Sequence, residues 1–177
     1  MLESIGSDDY AALGTLNTGS NRVRGIEVSL VGHISDKLST QFGAAIMDAE
    51  VLASNVKLNE GKTLSNFADE SLFLQLRYQA TPQFAFGGVA TYSSELFAGQ
   101  PDSAPTINSQ ATAYAFRVPS HSKYDVFATY AFSEKLNARL NVSNLFDKDY
   151  YLTSYRNGTY TYIGDARNAQ LTLAYEF

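Results

Sequence analysis

The chain contains no cysteine and no tryptophan, and only 4 of its 177 residues are proline. The absence of cysteine excludes a fold held together by disulfides and a metal site with cysteine ligands. Charged residues are also scarce: they make up 18% of the chain, below the usual share of about a quarter. Hydrophobic residues, in contrast, reach 45%, which argues against a disordered chain.

The balance of charge and the lengths of the apolar runs exclude further classes. The formal net charge is −5 and the isoelectric point is near 4.9, so we expect no nucleic-acid partner. The longest apolar runs are far shorter than the roughly 18 residues that a membrane helix needs. The first ten residues, MLESIGSDDY, contain no basic segment followed by an apolar one, so no signal peptide is predicted.

Aromatic residues are abundant, with 12 tyrosines and 11 phenylalanines, and apolar residues alternate with polar ones over most of the chain. A period of two residues predicts strands with one apolar and one polar face. The pattern is clearest at the end of the chain, where Ala169, Leu171, Leu173, Tyr175 and Phe177 share one face. Seven strands are predicted in total, at residues 22–35, 38–51, 70–79, 83–97, 124–132, 135–146 and 167–177.

The lengths of the predicted strands and of their connections indicate the fold class. The strands run to about 10–14 residues, whereas soluble sheets favour about 5–6 and outer-membrane barrels need about 9–11. Short connections at 33–37, 80–83 and 132–135 alternate with long ones at 52–69, 98–122 and 147–166. Short periplasmic turns and long extracellular loops alternate in this way in transmembrane barrels. We therefore predict an all-β, antiparallel transmembrane barrel segment.

Aromatic residues are predicted to mark the inner membrane interface of this barrel. Phenylalanine and tyrosine form girdles at both interfaces of outer-membrane barrels. The residues assigned to the short-turn ends of the strands are Tyr78, Phe84, Phe86, Tyr124, Phe132, Tyr175 and Phe177.

Several motifs in order resemble a known family. Residues 144–151 read NLFDKDYY, residues 163–168 read IGDARN, and the chain ends in YEF. Upstream, residues 24–28 read RGIEV and residues 118–125 read VPSHSKYD. Together they closely resemble the C-terminal part of TonB-dependent outer-membrane receptors. The tyrosine-rich segment before GDARN is most similar to siderophore receptors, particularly those of the catecholate type.

The resemblance implies a fold, a location and a function. The family fold is a barrel of about 22 strands around a plug, and seven strands cannot close such a barrel. We therefore expect residues 1–177 to be the C-terminal portion of the barrel domain, without the plug domain, either as a fragment or as a truncated gene. The complete receptor is expected to transport a ferric siderophore across the cell outer membrane of a Gram-negative bacterium. The expected partners are the siderophore, outer-membrane lipid, TonB, the plug domain and the barrel-assembly machinery.

An alternative is a small self-contained outer-membrane barrel with a structural or adhesion role. It would recruit residues 10–16, YAALGTL, as an eighth strand. That segment is short and alternates poorly, so the transport hypothesis is preferred.

Candidate site residues lie in two long connections and at the C-terminus. Aromatic rings stack on planar catecholates, and arginine attracts an anionic ferric complex. The candidates for ligand binding are Tyr155, Arg156, Tyr160 and Tyr162 in the last connection, and Arg117 and His121 in the preceding one. Tyr175 and Phe177 resemble the C-terminal signal that the barrel-assembly machinery reads, because an exposed strand edge can pair with another sheet.

The sequence offers no support for catalysis or for a bound metal. It contains no nucleophile elbow, P-loop, dinucleotide fingerprint or zinc-protease motif. The two histidines, His33 and His121, are far apart and have no companion ligands at metal spacing. We therefore predict neither an enzyme nor a cofactor, and we expect the iron to arrive within its ligand.

Overall fold

The computed structural model describes residues 19–54, 57–98, 116–155 and 160–177. In chain order the strands are β1 (Ser20–His33), β2 (Leu38–Ala53), β3 (Glu70–Gln79), β4 (Phe84–Ser93), β5 (Leu96–Ala98), β6 (Phe116–Val118), β7 (His121–Ala131), β8 (Leu136–Ser143), β9 (Tyr151–Tyr155), β10 (Tyr160–Ile163) and β11 (Asn168–Tyr175). A 3-10 turn covers Lys57–Asn59. Seven strands form one sheet in the order β1-β2-β3-β4-β7-β8-β11. Each neighbouring pair in it is antiparallel.

This sheet confirms the seven predicted strands and their all-β antiparallel class. Most boundaries differ from the predicted ones by a few residues, and two strands end clearly earlier than predicted. The strand predicted at 83–97 is interrupted after Ser93, and β5 begins at Leu96 outside the main sheet. The strand predicted at 135–146 ends at Ser143, because Asn144 has a φ of 49° and leaves the extended conformation.

The long connections contain structure that the sequence pattern did not predict. Strands β5 and β6 pair with each other in a two-stranded sheet, and β9 and β10 form another. These elements have three to five residues each. Such short segments carry too few residues to display a period, so they depend on contacts with the rest of the chain.

Register separates the two faces of the main sheet. One cross-strand row contains Leu76, Gly88, Val126, Val142 and Ala169. The neighbouring row projects to the other face and contains Arg77, Gly87, Phe127, Asn141 and Gln170. The alternation predicted from the sequence is thus realised as continuous apolar and polar faces.

Phe127 is an apolar residue on the polar face, and its neighbours explain its position. A Cβ atom at Gly87 would lie 2.5 Å from the Phe127 Cζ atom, so the ring fills the space that the glycine leaves open. The guanidinium of Arg139 lies 5.2 Å from the centre of the same ring, within the range of a cation–π contact. Phe127 is consequently buried although it faces the polar side.

The aromatic row at the short-turn end is largely as predicted. The Tyr78 and Phe86 rings are 5.7 Å apart, Phe84 and Tyr130 are 6.4 Å apart, and Tyr130 and Phe132 are 4.8 Å apart. Tyr130 was not included in the prediction.

The assignment of Tyr124 to the short-turn end was wrong. This residue lies near the start of β7, which follows a long connection, so it belongs to the opposite end of the sheet. There its ring packs edge-on against Phe146, at a distance of 5.5 Å between centroids.

The three short connections share one turn geometry. In each, a serine or threonine hydroxyl accepts a hydrogen bond from the backbone N–H three residues later. The pairs are Ser35 with Leu38 at 3.2 Å, Thr81 with Phe84 at 3.0 Å, and Ser133 with Leu136 at 3.1 Å. This local bond is typical of serine and threonine turns, and it explains why these connections could be predicted.

The eighth strand of the alternative hypothesis, at residues 10–16, lies outside the described residues. Within the described ranges, no helix has the length and apolar character needed to span a membrane.

Candidate ligand-binding surface

The tyrosines predicted in the last long connection lie together on a β-hairpin. Strands β9 and β10 are antiparallel, and Tyr155 lies directly opposite Tyr160 while Tyr162 lies opposite Thr153. Residues directly opposite one another, and those two positions along a strand, project to the same side. Tyr155, Tyr160 and Tyr162 therefore share one face, and they are 44%, 68% and 57% exposed. Arg156 lies outside the described residues.

The two candidates from the preceding connection lie beside this hairpin. Arg117 is on β6 and forms an ion pair with Glu95. His121 begins β7, and its ring stacks on that of Tyr150 at 4.9 Å. Because Tyr150 immediately precedes β9, and β9 packs against β5 and β6, the structure brings the two groups of candidates to one surface.

The connection between β2 and β3 joins the same surface, which the sequence did not indicate. The Asn66 N–H donates to the Phe97 carbonyl at 2.8 Å, and the Thr153 hydroxyl donates to Asn66 Oδ1 at 2.6 Å. Ala68 packs against the buried side chains of Leu96 and Val118. Three long connections thus contact one another at this end of the sheet.

The connection between β2 and β3 also encloses a charged side chain. Lys62 is fully buried and donates from Nζ to Asn59 Oδ1 at 3.1 Å, and burial lowers the pKa of its amine. At the end of this connection, burial raises the pKa of Asp69, and the carboxylates of Asp48 and Glu70 raise it further. No local sequence pattern predicted these two pKa shifts, because both depend on residues that the fold brings around Lys62 and Asp69.

In the NLFDKDYY motif, the side chain of Asn144 forms hydrogen bonds with the backbone of Lys148, four residues later. Asn144 is 2% exposed. Its Nδ2 donates to the carbonyls of Lys148 and Asp165 at 2.9 and 3.0 Å, and its Oδ1 accepts from the Lys148 N–H at 3.0 Å. Its own N–H donates to Asp125 Oδ1 at 2.7 Å. Asn144 therefore ties the end of β8 to both β7 and the segment that precedes β11.

The IGDARN motif completes this connection. The Arg167 N–H donates to Asp147 Oδ1 at 2.9 Å, and the Arg167 Nη2 lies 3.7 Å from Asp147 Oδ2. The Gly164 N–H donates to the Tyr150 carbonyl at 2.8 Å. A Cβ atom at Gly164 would lie 2.1 Å from the Tyr150 ring, so only glycine fits there. We call the contacts of Asn144, Asp147, Gly164 and Arg167 the clasp. It holds the base of the β9–β10 hairpin.

No cluster of three or more potential metal-ligating side chains occurs among the residues that the structure describes.

A family model described as "TonB dependent receptor-like, beta-barrel" matches residues 3–145. The chain belongs to the TonB-dependent receptor β-barrel family. Among curated relatives, the probable TonB-dependent receptor BfrD of Bordetella pertussis is 30% identical over 87% of the chain and 20% of its own length. The chain spans about a fifth of the length of the curated relatives it matches.

Solved structures share this fold. The siderophore receptor PiuA from Acinetobacter baumannii matches with a TM-score of 0.77 and 24% identity, over 91% of this chain and 22% of PiuA. The closed form of the ferric-catecholate import receptor Fiu from Escherichia coli matches with a TM-score of 0.72 and 25% identity, over 88% of this chain and 21% of Fiu.

Family membership gives the location, and the general architecture of outer-membrane barrels predicts the orientation of the sheet. This is an outer-membrane family of transport receptors, not of enzymes. The apolar face of the sheet therefore contacts lipid, and the polar face points toward the lumen. The serine and threonine turns lie on the periplasmic side, and the tyrosine hairpin lies on the extracellular side.

Proposed function

We propose that the protein to which these residues belong imports a ferric siderophore, and that the β9–β10 hairpin and β6 form part of its extracellular binding surface. The observation that carries the proposal is the shared face of Tyr155, Tyr160 and Tyr162 on a hairpin whose strand β9 packs against β6, the strand of Arg117. Three exposed rings offer stacking surfaces for planar groups, and the guanidinium attracts an anionic complex. Glu95 partly neutralises Arg117, but the arginine side chain remains 63% exposed to an incoming ligand.

A catecholate siderophore fits this surface best, because catechol rings are planar and the ferric tricatecholate is anionic. Among the relatives, PiuA is a siderophore receptor, and Fiu, a ferric-catecholate import receptor, supports this choice of ligand. Transport requires energy delivered through TonB to a plug domain. The iron enters within the siderophore, so the protein needs no cofactor of its own.

Tyr175 and Phe177 are proposed to serve assembly rather than transport. Their rings contact each other at 5.3 Å, and Phe177 is fully exposed. Tyr175 ends β11, the last strand of the sheet, and Phe177 lies two residues beyond it. A strand edge of this kind can pair with the sheet edge of an assembly protein.

The test is iron uptake by the full-length protein in its own host. Deletion of the gene is expected to abolish uptake of radiolabelled iron from one ferric siderophore within a panel of catecholates and hydroxamates. Replacing Tyr155 and Tyr160 together with alanine is expected to weaken binding of that siderophore about tenfold, since each lost stacking contact costs about 0.5–1.5 kcal/mol.

The matched control is Tyr78→Ala, which removes a similarly exposed tyrosine at the periplasmic end. It should leave the affinity unchanged when the amount of protein in the membrane is equal. Unchanged uptake of every ferric siderophore after gene deletion would overturn the proposal.

A further inference from the structure

We propose that Asn66 is a positioning residue, which joins the extracellular connections into one body and holds the tyrosine face of the β9–β10 hairpin in place. The coupling of the connections is argued from the contacts of Asn66 and does not depend on what the protein binds. Its consequence for ligand affinity rests on the function proposed above.

The backbone of Asn66 makes the first link. Its φ is 56°, in the left-handed region that asparagine tolerates better than most residues do. In this conformation its N–H donates to the Phe97 carbonyl on β5 at 2.8 Å. Two residues later, Ala68 packs against Leu96 and Val118. The β2–β3 connection is therefore tied to the β5–β6 pair by both a hydrogen bond and apolar contact.

The side chain of Asn66 makes the second link. Thr153 Oγ1 donates to Asn66 Oδ1 at 2.6 Å, across 87 positions in the sequence. Asn66 Nδ2 also donates to the Ser154 carbonyl, in a longer bond of 3.5 Å. Thr153 lies opposite Tyr162 and two positions from Tyr155. Asn66 thus contacts the same hairpin face that carries the tyrosines.

Besides the packing of β9 against β5 and β6, hydrogen bonds to Asn66 and within the clasp restrain the described part of the hairpin at two places. The clasp holds its base through the Gly164 N–H and the Tyr150 carbonyl. Asn66 holds it further out, at Thr153 and Ser154. Loss of the second attachment leaves the base in place but widens the range of positions of the tyrosine rings, and disorder of a binding surface costs affinity.

Hydrogen–deuterium exchange of the full-length protein in detergent, without ligand, tests the coupling. Asn66→Gly retains the backbone conformation and the N–H but removes the side chain. Thr153→Val removes only the hydroxyl. Each is expected to accelerate exchange of amides in 151–155 and 160–163 about fivefold. The double variant should behave like Asn66→Gly, because that substitution already removes the bond that Thr153→Val removes.

The controls separate this contact from general damage. Thr161→Val makes the same change on the other strand of the hairpin and should leave exchange unchanged. Asn66→Asp keeps an oxygen acceptor for Thr153 and should restore most of the protection. Equal protection of the hairpin in Asn66→Gly and the wild type, or additive effects in the double variant, would overturn the coupling.

Affinity for a ferric tricatecholate distinguishes the two proposals. If the wild type binds it, Asn66→Gly should weaken binding about fivefold, with no change in the maximal transport rate at saturation. Unchanged affinity in a variant whose hairpin exchanges faster would overturn the positioning role. If the wild type binds no ferric siderophore, the proposed function is wrong. The exchange experiment would still show whether Asn66 couples the connections.

Discussion

The two ends of the sheet differ in how far apart along the chain their hydrogen-bond partners lie. At the periplasmic end, each connection closes through a hydroxyl that accepts a bond from three residues along the chain, as Ser133 does from Leu136. At the extracellular end, five of the hydrogen bonds that hold the chain join residues 19 to 88 positions apart. A local bond needs only the right residues in order. A distant bond also needs the whole sheet to bring its partners together, so the extracellular end can vary without changing the barrel.

The largest effect is expected from a substitution of Asn144, the residue at the centre of the clasp. Asn144→Ala deletes three side-chain hydrogen bonds at a buried site and leaves an alanine at positive φ. We expect a local loss of about 3 kcal/mol. Amides in 160–168 should then exchange on the order of a hundredfold faster in the full-length protein.

The control for this prediction is Asn137→Ala, an exposed asparagine on the same strand, β8. It should leave exchange in 160–168 unchanged. If the two variants behave alike, the clasp does not hold the base of the β9–β10 hairpin.

A local change at the periplasmic end should have a smaller effect. Ser133→Ala removes the hydroxyl that accepts from the Lys135 and Leu136 N–H groups. The expected loss is about 1 kcal/mol, or roughly fivefold in exchange of the 132–136 amides. The effect should stay within that turn, with the extracellular connections unaffected. A change spreading to the β9–β10 hairpin would contradict the local character of this end.

The smallest expected effect concerns pH at Asp69. Burial and the carboxylates of Asp48 and Glu70 raise the pKa of Asp69, so its ionised form is disfavoured in the folded state. The connection between β2 and β3 should therefore gain protection as the pH falls through the folded pKa, and lose it as the pH rises. Because the site is partly exposed to solvent, the change should be about twofold or less in exchange of residues 57–69.

Asp69→Asn removes the ionisable group. It should increase protection of this connection at neutral pH and abolish the part of the pH dependence that Asp69 causes. Asp36→Asn, in a periplasmic turn, is the matched control and should alter neither. If the pH dependence of exchange persists unchanged in Asp69→Asn, another ionisable group causes it.

The main strands could be predicted because their alternation extends over eight or more residues. The strand at 70–79 was predicted at its observed boundaries, and the turns followed from serine and threonine positions. The tyrosine hairpin was predicted only as a set of residues, since β9 and β10 have five and four residues. Asn66 was missed entirely, because nothing near it in sequence indicates a partner 87 positions away. Tyr124 was assigned to the wrong end of the sheet because its strand was predicted from alternation alone, and alternation does not distinguish the start of a strand from its end.

The sequence by itself determined the strands, their faces, the periplasmic turns and the family, since each is encoded in a local period, a local hydrogen bond or a contiguous motif. Only the tertiary structure decided how the extracellular connections meet, why Gly164 faces Tyr150, and which residues surround the tyrosines. The physical reason is the separation along the chain between the residues that interact. Alternation and turns depend on neighbours within a few residues, whereas the extracellular surface depends on strands that first have to pair before their distant loops can touch.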